Sequence, residues 1–162
     1  MARDAARCGF TLVETMVVVV MLGLLLAMAI PNFADSNRRR RTEAAAADLS
    51  TSLQLARQRT LARRTPFRVV LDPDNRTFWT ERSETDSSWV RDPDEEHTLP
   101  RGVTWSPEAG GDASNTDVEF EGRGTIRAED APFTVIFTNA REDTFILSLV
   151  RTGRVTVRAD AP

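Results

Sequence analysis

The sequence of 162 residues contains one cysteine, one histidine and no tyrosine or lysine. One cysteine cannot form an internal disulfide, and Cys8 with His97 supplies too few ligands for a structural zinc site. Nucleophilic catalysis also has no recognisable basis, because His97 has no cysteine partner and no serine motif to act with. We therefore expect a protein that is not an enzyme, with no cofactor, no metal and no small-molecule substrate.

Charge is divided unevenly along the chain. Residues 36–71 contain nine arginines and two acids, a net charge of +7, whereas residues 72–162 contain ten arginines and nineteen acids, a net charge of −9. We call these segments the basic rod and the acidic body. Their opposite charges predict electrostatic attraction between neighbouring molecules in an assembly.

A long apolar run lies near the N-terminus. Residues 16–30 include no polar side chain, and extending the run back to Phe10 gives roughly the 20 residues that cross a ~30 Å hydrocarbon layer. We expect a polar leader at residues 1–9 and a transmembrane helix at residues 10–34. Pro31 lacks an N–H group, so it should kink or loosen this helix without ending it.

An amphipathic extension of the helix is predicted at residues 35–64, ending before Thr65-Pro66. Its apolar positions recur every three or four residues and form one narrow seam. The seam consists of Ala46, Leu49, Leu53, Ala56 and Thr60. Arg38 to Arg41 lie near the start of this segment. They either contact an acidic partner, which would be anionic lipid headgroups or the acidic faces of neighbouring subunits, or form a solvated collar beside the membrane.

From residue 65 to 162 the apolar period changes to two, which predicts a β-rich domain. Strands are expected at residues 67–71, 77–81, 103–106, 118–121, 125–127, 133–138, 144–150 and 154–158. Residues 83–100 are polar and acidic and are predicted to form a long loop, with at most a short strand around Trp89. The predicted fold is α+β: a long N-terminal helix, transmembrane in its first half, packed against antiparallel β-sheet.

The densest acidic cluster lies within this predicted loop. Its carboxylates, from Asp92 to Glu96, are ligands that suit calcium, but the cluster lacks the regular spacing of an EF-hand and Pro93 restricts how its side chains converge. A solvated loop is therefore expected, and whether it binds a metal stays open. The tryptophans at positions 79, 89 and 105 are expected to pack in the core or at its rim.

Glu14 interrupts the apolar run. An acid in a membrane helix costs about 2.5–3.5 kcal/mol, whereas the four valines, four leucines and one isoleucine of residues 16–30 return about 3–5 kcal/mol. The segment can therefore insert, but Glu14 requires a cation. Cleavage after Gly9 would create an amino group on Phe10, protonated near neutral pH, which could neutralise Glu14 of an adjacent chain.

The sequence Gly9-Phe10-Thr11-Leu12-Val13-Glu14, followed by about twenty apolar residues, resembles the class III leader of type IV pilins and type II secretion pseudopilins. The resemblance implies cleavage between Gly9 and Phe10 by a prepilin peptidase, N-methylation of Phe10, and subunit registration by Glu14. It also implies that Pro31 loosens the helix during assembly.

The same resemblance implies a single-pass protein in the lipid of the inner membrane. The C-terminal domain would lie in the periplasm, and the chain would assemble with other pseudopilins or pilins into a fibre. The count of arginines on the two sides of the span opposes this orientation, and we give the leader precedence. An ordinary secretory signal cleaved after Ala27-Met28-Ala29 is the alternative, with Ile30 as the mature N-terminus.

Two glycine-containing motifs, Phe120 to Gly124 and Thr152 to Val155, resemble the GspH/FimT-type domain, although hairpin turns alone would account for their glycines. The resemblance implies a minor pseudopilin, a structural subunit of a type II secretion pseudopilus. FimT-like members imply an alternative, a minor type IV pilin that binds DNA during natural transformation through a G-R-x-R motif. Here Thr156 replaces the second arginine of that motif, which leaves Arg154 and Arg158 as candidate DNA contacts, and the acidic body opposes phosphate binding.

Overall fold

The structure is a computed structural model that describes residues 11–85, 88–109 and 116–160. A single long helix, α1 (Leu12–Arg63), precedes the strands. The strands are β1 (Phe67–Asp72), β2 (Thr77–Thr85), β3 (Ser88–Arg91), β4 (His97–Thr98), β5 (Val103–Ala109), β6 (Asp117–Phe120), β7 (Phe133–Asn139), β8 (Thr144–Leu149) and β9 (Val155–Asp160). A 3₁₀ turn at Pro93–Glu95 lies between β3 and β4. The chain divides into two compact units, one ending at Asn37 and the other beginning at Arg38.

Helix α1 continues past Pro31, as expected for a proline that does not end it. At its C-terminal end, Arg63 lies in the last turn, where a cation interacts favourably with the helix dipole. Arg64 then adopts a left-handed backbone with φ of 53°, and Pro66 cannot continue the helical hydrogen bonds. The helix thus ends at Arg63, one residue before the expected end at residue 64.

Within the described residues, we find no helical stretch that combines the length and apolar character needed to cross a membrane. The transmembrane helix expected at residues 10–34 falls partly outside the described part of the chain, since Phe10 and the side chains of residues 28–34 are not included.

The predicted seam of α1 is buried over its whole length. All five of its residues are completely inaccessible to solvent, and Thr42, Ala45 and Ser52 extend it. The seam leucines, Leu49 and Leu53, each gain about 1.5–3 kcal/mol from this burial. The seam therefore anchors the C-terminal half of α1 to the body of the protein.

Two antiparallel sheets complete the body. The first sheet has the order β3-β2-β1-β6, with β4 also paired to β2, and the second sheet has the order β5-β7-β8-β9. Alternate residues of β1, β7 and β8 point into one core that also contains the seam of α1. The predicted α+β architecture, a long helix packed against antiparallel sheet, is confirmed.

The described residues of the region expected to be a long loop, residues 83–100, form more strand than the sequence indicates. Strand β2 extends to Thr85 and pairs with β3, which contains the expected short strand at Trp89, and β4 pairs with the start of β2. The expectation of a loop was wrong because cross-strand side-chain contacts on the exposed face stabilise these polar strands. Those contacts join residues far apart in sequence.

Two further strands differ from the prediction by more than two residues. Residues 125–127 form an isolated bridge, in which Ile126 pairs with Phe120, and not a strand. Strand β5 runs through Pro107 to Ala109, beyond its expected end at residue 106. Pro107 is tolerated because β5 is an edge strand, so the missing N–H group leaves no unpaired neighbour in the sheet.

Candidate assembly interface

The first turn of α1 carries Glu14, the residue expected to register neighbouring subunits. The amide of Glu14 donates a hydrogen bond of 3.2 Å to Oγ1 of Thr11, so Thr11 caps the helix. Thr11 and Glu14 have the spacing of a capping box. In this motif a glutamate three residues after the capping residue accepts a hydrogen bond from the backbone amide of that residue. Glu14 forms no salt bridge with any residue in the described part of the chain. Gly9 and Phe10, the predicted cleavage and methylation positions, lie outside the described residues.

The N-terminal half of α1 presents an extensive apolar surface. Between Leu12 and Leu26, every valine, leucine and methionine is exposed, with exposed fractions from 46% at Val18 to 78% at Leu12. We call residues 12–26 the apolar helix surface. Exposed apolar patches of this size mark sites that contact other proteins or lipid.

A cavity of about 270 Å³ lies in the second compact unit and is bordered by three arginines. Arg38 and Arg41 are three residues apart on α1 and therefore neighbours on its surface, and Arg101 lies in the turn before β5. We call this the arginine cavity; its remaining lining residues are Gly102, Val103 and Ala140. Sequence reasoning identified the arginines of α1 but missed Arg101, because only the fold brings it beside the helix.

The turn between β7 and β8 is fixed to α1 by the side chain of Asn139. Its Nδ2 donates to Oγ1 of Thr42 at 3.3 Å and to a carboxylate oxygen of Asp143 at 2.9 Å. Its Oδ1 accepts hydrogen bonds from the backbone amides of Arg141 and Asp143. Ala140 is thereby held in a defined position on the wall of the arginine cavity.

The glycines of the two C-terminal motifs meet beside α1. Nε of Arg57 donates a hydrogen bond of 2.9 Å to the carbonyl of Gly124. A Cβ atom on Gly153 would lie 2.3 Å from that carbonyl oxygen, and Gly153 has a φ of 75°. Both observations require glycine at position 153. These glycines are therefore not explained by hairpin turns alone; they allow two turns to approach the helix closely.

The acidic cluster is tied to α1 and is not simply a solvated loop, which corrects the prediction. Arg59 contacts the carboxylate of Glu95 and pairs with that of Asp92 at 3.3 Å. Asp92 also caps the 3₁₀ turn, since its side chain accepts a hydrogen bond from the Asp94 amide. No group of three potential metal ligands is present among the described residues.

The exposed face of the first sheet holds a network of arginine, glutamate and tryptophan. Glu81 accepts a hydrogen bond of 2.7 Å from Nε1 of Trp79 and pairs with Arg68 at 2.7 Å. The guanidinium of Arg68 stacks 4.4 Å from the centre of the Trp89 ring, and Arg91 stacks on Trp79 at 4.0 Å. Trp79 and Trp89 thus pack at the rim of the body, as expected.

Glu119 is a buried carboxylate at the edge of the same sheet. Burial raises the pKa of Glu119 above its usual value, and Arg127, which pairs with it at 2.7 Å, opposes this shift. The Asp130 carboxylate also raises the pKa of Glu119, and it accepts a hydrogen bond from the Glu119 amide. Protonation of this group is therefore linked to folding.

The candidate DNA contacts lie at an edge of the second sheet. Arg158 is in the edge strand β9, in register with Ile146, and Arg154 lies in the turn before that strand. Both arginines are exposed. Thr156, which replaces the motif arginine, is also exposed and pairs in register with Ser148 of β8. Two positive side chains are thus available to an outside partner.

Comparison with known families gives two matches. The family model described as type II transport protein GspH matches residues 45–159, and the prokaryotic N-terminal methylation motif matches residues 4–30. No curated protein sequence matches the chain.

Several solved structures share the fold. The minor pseudopilin EpsH from the type 2 secretion system of Vibrio cholerae is 17% identical with a TM-score of 0.62, and the match covers 74% of this chain and 97% of that one. The type IV minor pilin FimU of Pseudomonas aeruginosa is 18% identical with a TM-score of 0.60, covering 75% and 94%. The solution structure of Escherichia coli GspH is 16% identical with a TM-score of 0.57, covering 75% and 89%.

Proposed function

The chain belongs to the family of the type II transport protein GspH, and from this premise we propose that it works as a minor pseudopilin, a non-catalytic structural subunit of a type II secretion pseudopilus. The family match over residues 45–159 carries the proposal. The methylation motif at residues 4–30 supports assembly at the inner membrane. Partners are then the other pseudopilins of the same fibre.

Maturation is proposed to occur between Gly9 and Phe10. A prepilin peptidase would cut this bond and methylate Phe10, and the methylation motif that spans both positions supports this assignment. The test is mass spectrometry of the chain expressed together with the peptidase. Methylated Phe10 at the mature N-terminus is expected, whereas an N-terminus at Ile30 would mean an ordinary secretory signal and contradict the proposal.

Assembly is proposed to bury the apolar helix surface against the helices of neighbouring subunits. Glu14 would neutralise the N-terminal amine of an adjacent chain, and the absence of an internal salt-bridge partner for Glu14 in the described residues supports this role. A desolvated carboxylate without a cation would otherwise cost several kcal/mol. Pro31 would let the helix adjust during packing, because a proline removes one helical hydrogen bond.

Two substitutions at Glu14 separate its charge from its position in the capping box. Glutamine at this position would keep the size and hydrogen-bonding capacity of a capping residue without the charge, whereas alanine removes both. We expect Glu14→Gln and Glu14→Ala to be cleaved normally but to co-purify poorly with other pseudopilins after cross-linking. The control is Glu43→Gln, an exposed carboxylate farther along α1. Full assembly of Glu14→Gln would overturn the electrostatic role.

The topology proposed is a single pass with the C-terminal domain in the periplasm. An alkaline phosphatase fused after Pro162 should then be active, and a β-galactosidase at the same position should be inactive. The reverse pattern would agree with the arginine count and contradict the proposal.

A minor type IV pilin that binds DNA is the alternative function. The likeness in fold to FimU and the exposed Arg154 and Arg158 favour it. Duplex DNA binding that weakens steeply with salt, and is lost in Arg154→Ala, would support this alternative. Restoration of protein secretion in a strain lacking its own GspH-type subunit would support the secretion role instead.

A further inference from the structure

We propose that the arginine cavity binds the phosphate group of an anionic phospholipid at the membrane surface. This inference rests on the proposed function, because it requires the body of the subunit to lie beside the inner membrane before assembly. The chemistry recognised is a phosphate ester that carries net negative charge.

Side-chain hydrogen bonds hold the walls of the arginine cavity in place. Nη2 of Arg76 donates hydrogen bonds of 2.8 Å to the carbonyls of Pro100 and Val103, one on each side of Arg101. Gly102 turns the chain with a φ of 82°, which only glycine adopts readily. The Arg101 backbone is thereby fixed facing the helix, and Asn139 fixes the opposite turn in the same way.

Within the described part of the chain, no carboxylate forms a salt bridge with the arginines of the cavity. Arg59, Arg68 and Arg127 each pair with a carboxylate. By contrast, neither Arg101 nor the two helix arginines of the cavity form a salt bridge with any residue in the described ranges. Among the described residues, the side chains of three arginines and no carboxylate line this cavity of about 270 Å³. A set of unpaired cations of this kind suits an external anion.

Phosphate suits this site better than a side-chain carboxylate of another subunit. Guanidinium groups bind phosphate oxygens through paired hydrogen bonds, and three of them can address the separate oxygens of one phosphate. Arg38 also follows the end of the apolar run, Ile30, by only eight residues in sequence. Basic residues immediately beyond an apolar segment are attracted to anionic headgroups.

The test is native mass spectrometry of the full chain in detergent, titrated with phosphatidylglycerol, with phosphatidylcholine and with inorganic phosphate. We expect preferential binding of phosphatidylglycerol and about tenfold weaker binding in Arg101→Gln. Arg101→Lys keeps the charge but loses the paired hydrogen bonds, so an intermediate loss is expected. Arg39→Gln is the matched control, because Arg39 is an exposed neighbour that does not line the cavity; less than a twofold change is expected.

Three results would overturn the proposal. Equal losses in Arg101→Gln and Arg39→Gln would mean general charge attraction, and equal binding of inorganic phosphate and phosphatidylglycerol would mean a free-phosphate site. Normal lipid binding by Arg101→Gln with loss of cross-links to another pseudopilin would assign the cavity to a protein contact.

The pseudopilin role and the lipid site give different results in these measurements. Normal processing and co-purification of Arg101→Gln with other pseudopilins, together with unchanged lipid binding, would reject the lipid site while leaving the pseudopilin role intact. If the wild-type chain did not co-purify with other pseudopilins, the pseudopilin role would be rejected instead. A thermal unfolding curve of Arg101→Gln that matches the wild type shows that any loss of binding is not caused by misfolding.

Discussion

The guanidinium of Arg57 and the carbonyl of Gly124 are joined by a hydrogen bond of 2.9 Å, and this bond connects α1 to the turn that follows β6. Gly153, in the turn between β8 and β9, closes over the same carbonyl. The contact therefore links the helix with a turn from each of the two sheets. Gly124 and Gly153 belong to the two glycine motifs that resemble the GspH/FimT-type domain, so these motifs have a structural role in joining the layers of the fold.

Substitution of Gly153 by alanine should destabilise the protein. The left-handed backbone of Gly153 costs about 1–2 kcal/mol for a residue with a Cβ atom, and the overlap with the Gly124 carbonyl adds about 1–3 kcal/mol. The free energy of unfolding, measured by urea denaturation, should therefore fall by about 2 kcal/mol or more. Gly122→Ala is the matched control, because no atom lies within 4 Å of its added Cβ. Similar losses in the two variants would contradict the role of Gly153.

Removal of the Arg57 side chain should leave the Gly124 carbonyl without its donor. An unsatisfied buried acceptor costs about 1–3 kcal/mol, so Arg57→Ala should lower the free energy of unfolding by this amount. Gln58→Ala, at an exposed neighbouring position, serves as the control and should change it by less than about 0.5 kcal/mol. An unchanged urea midpoint in Arg57→Ala would show that the hydrogen bond contributes nothing to stability.

Removal of Arg59 should release the 3₁₀ turn locally. Its ion pairs with Asp92 and Glu95 are only partly buried, so Arg59→Ala should cost about 1 kcal/mol or less in global stability. Amide hydrogen exchange in residues 93–98 should nevertheless become faster, since the turn loses its contact with α1. Arg40→Ala, an exposed position on the same helix, should leave exchange in this segment unchanged. Equal exchange in both variants would contradict the tethering role.

Protonation of Glu119 should make folding stability depend on pH. Because burial raises the pKa of Glu119 above its usual 4.5, the folded chain retains this proton at pH values where the unfolded chain has lost it. This group therefore lowers the free energy of unfolding as the pH rises from about 4.5 through the raised pKa. Glu119→Gln removes the titration, so the stability of this variant relative to the wild type should increase across that pH range. Urea unfolding at a series of pH values tests this, and a constant difference would contradict it.

Local periodicity was enough to predict most of the fold. The seam of α1 and the alternation in β1, β7 and β8 follow from burial on one face, which sequence spacing records directly. The β2–β3 pairing was missed because contacts across the strands, such as the stacking of Arg91 on Trp79, join residues with no local signal in the sequence.

The candidate sites divide in the same way. Glu14 was identified from its position within an apolar run, because an isolated acid there stands out in the sequence. Arg101 was not identified from the sequence, since a single arginine in a polar turn has no distinguishing pattern. Its relevance depends on Asn139 and Arg76, which hold distant turns together beside α1.

The distribution of the tryptophans gives the protein built-in optical probes. Trp79 and Trp89 belong to the first sheet and Trp105 to the second, and with no tyrosine in the chain they account for its ultraviolet fluorescence. Replacing Trp105 by phenylalanine leaves tryptophan emission from the first sheet alone. Replacing both Trp79 and Trp89 by phenylalanine leaves tryptophan emission from the second sheet alone. Fluorescence recorded during denaturation can then reveal whether the two layers melt together or in sequence.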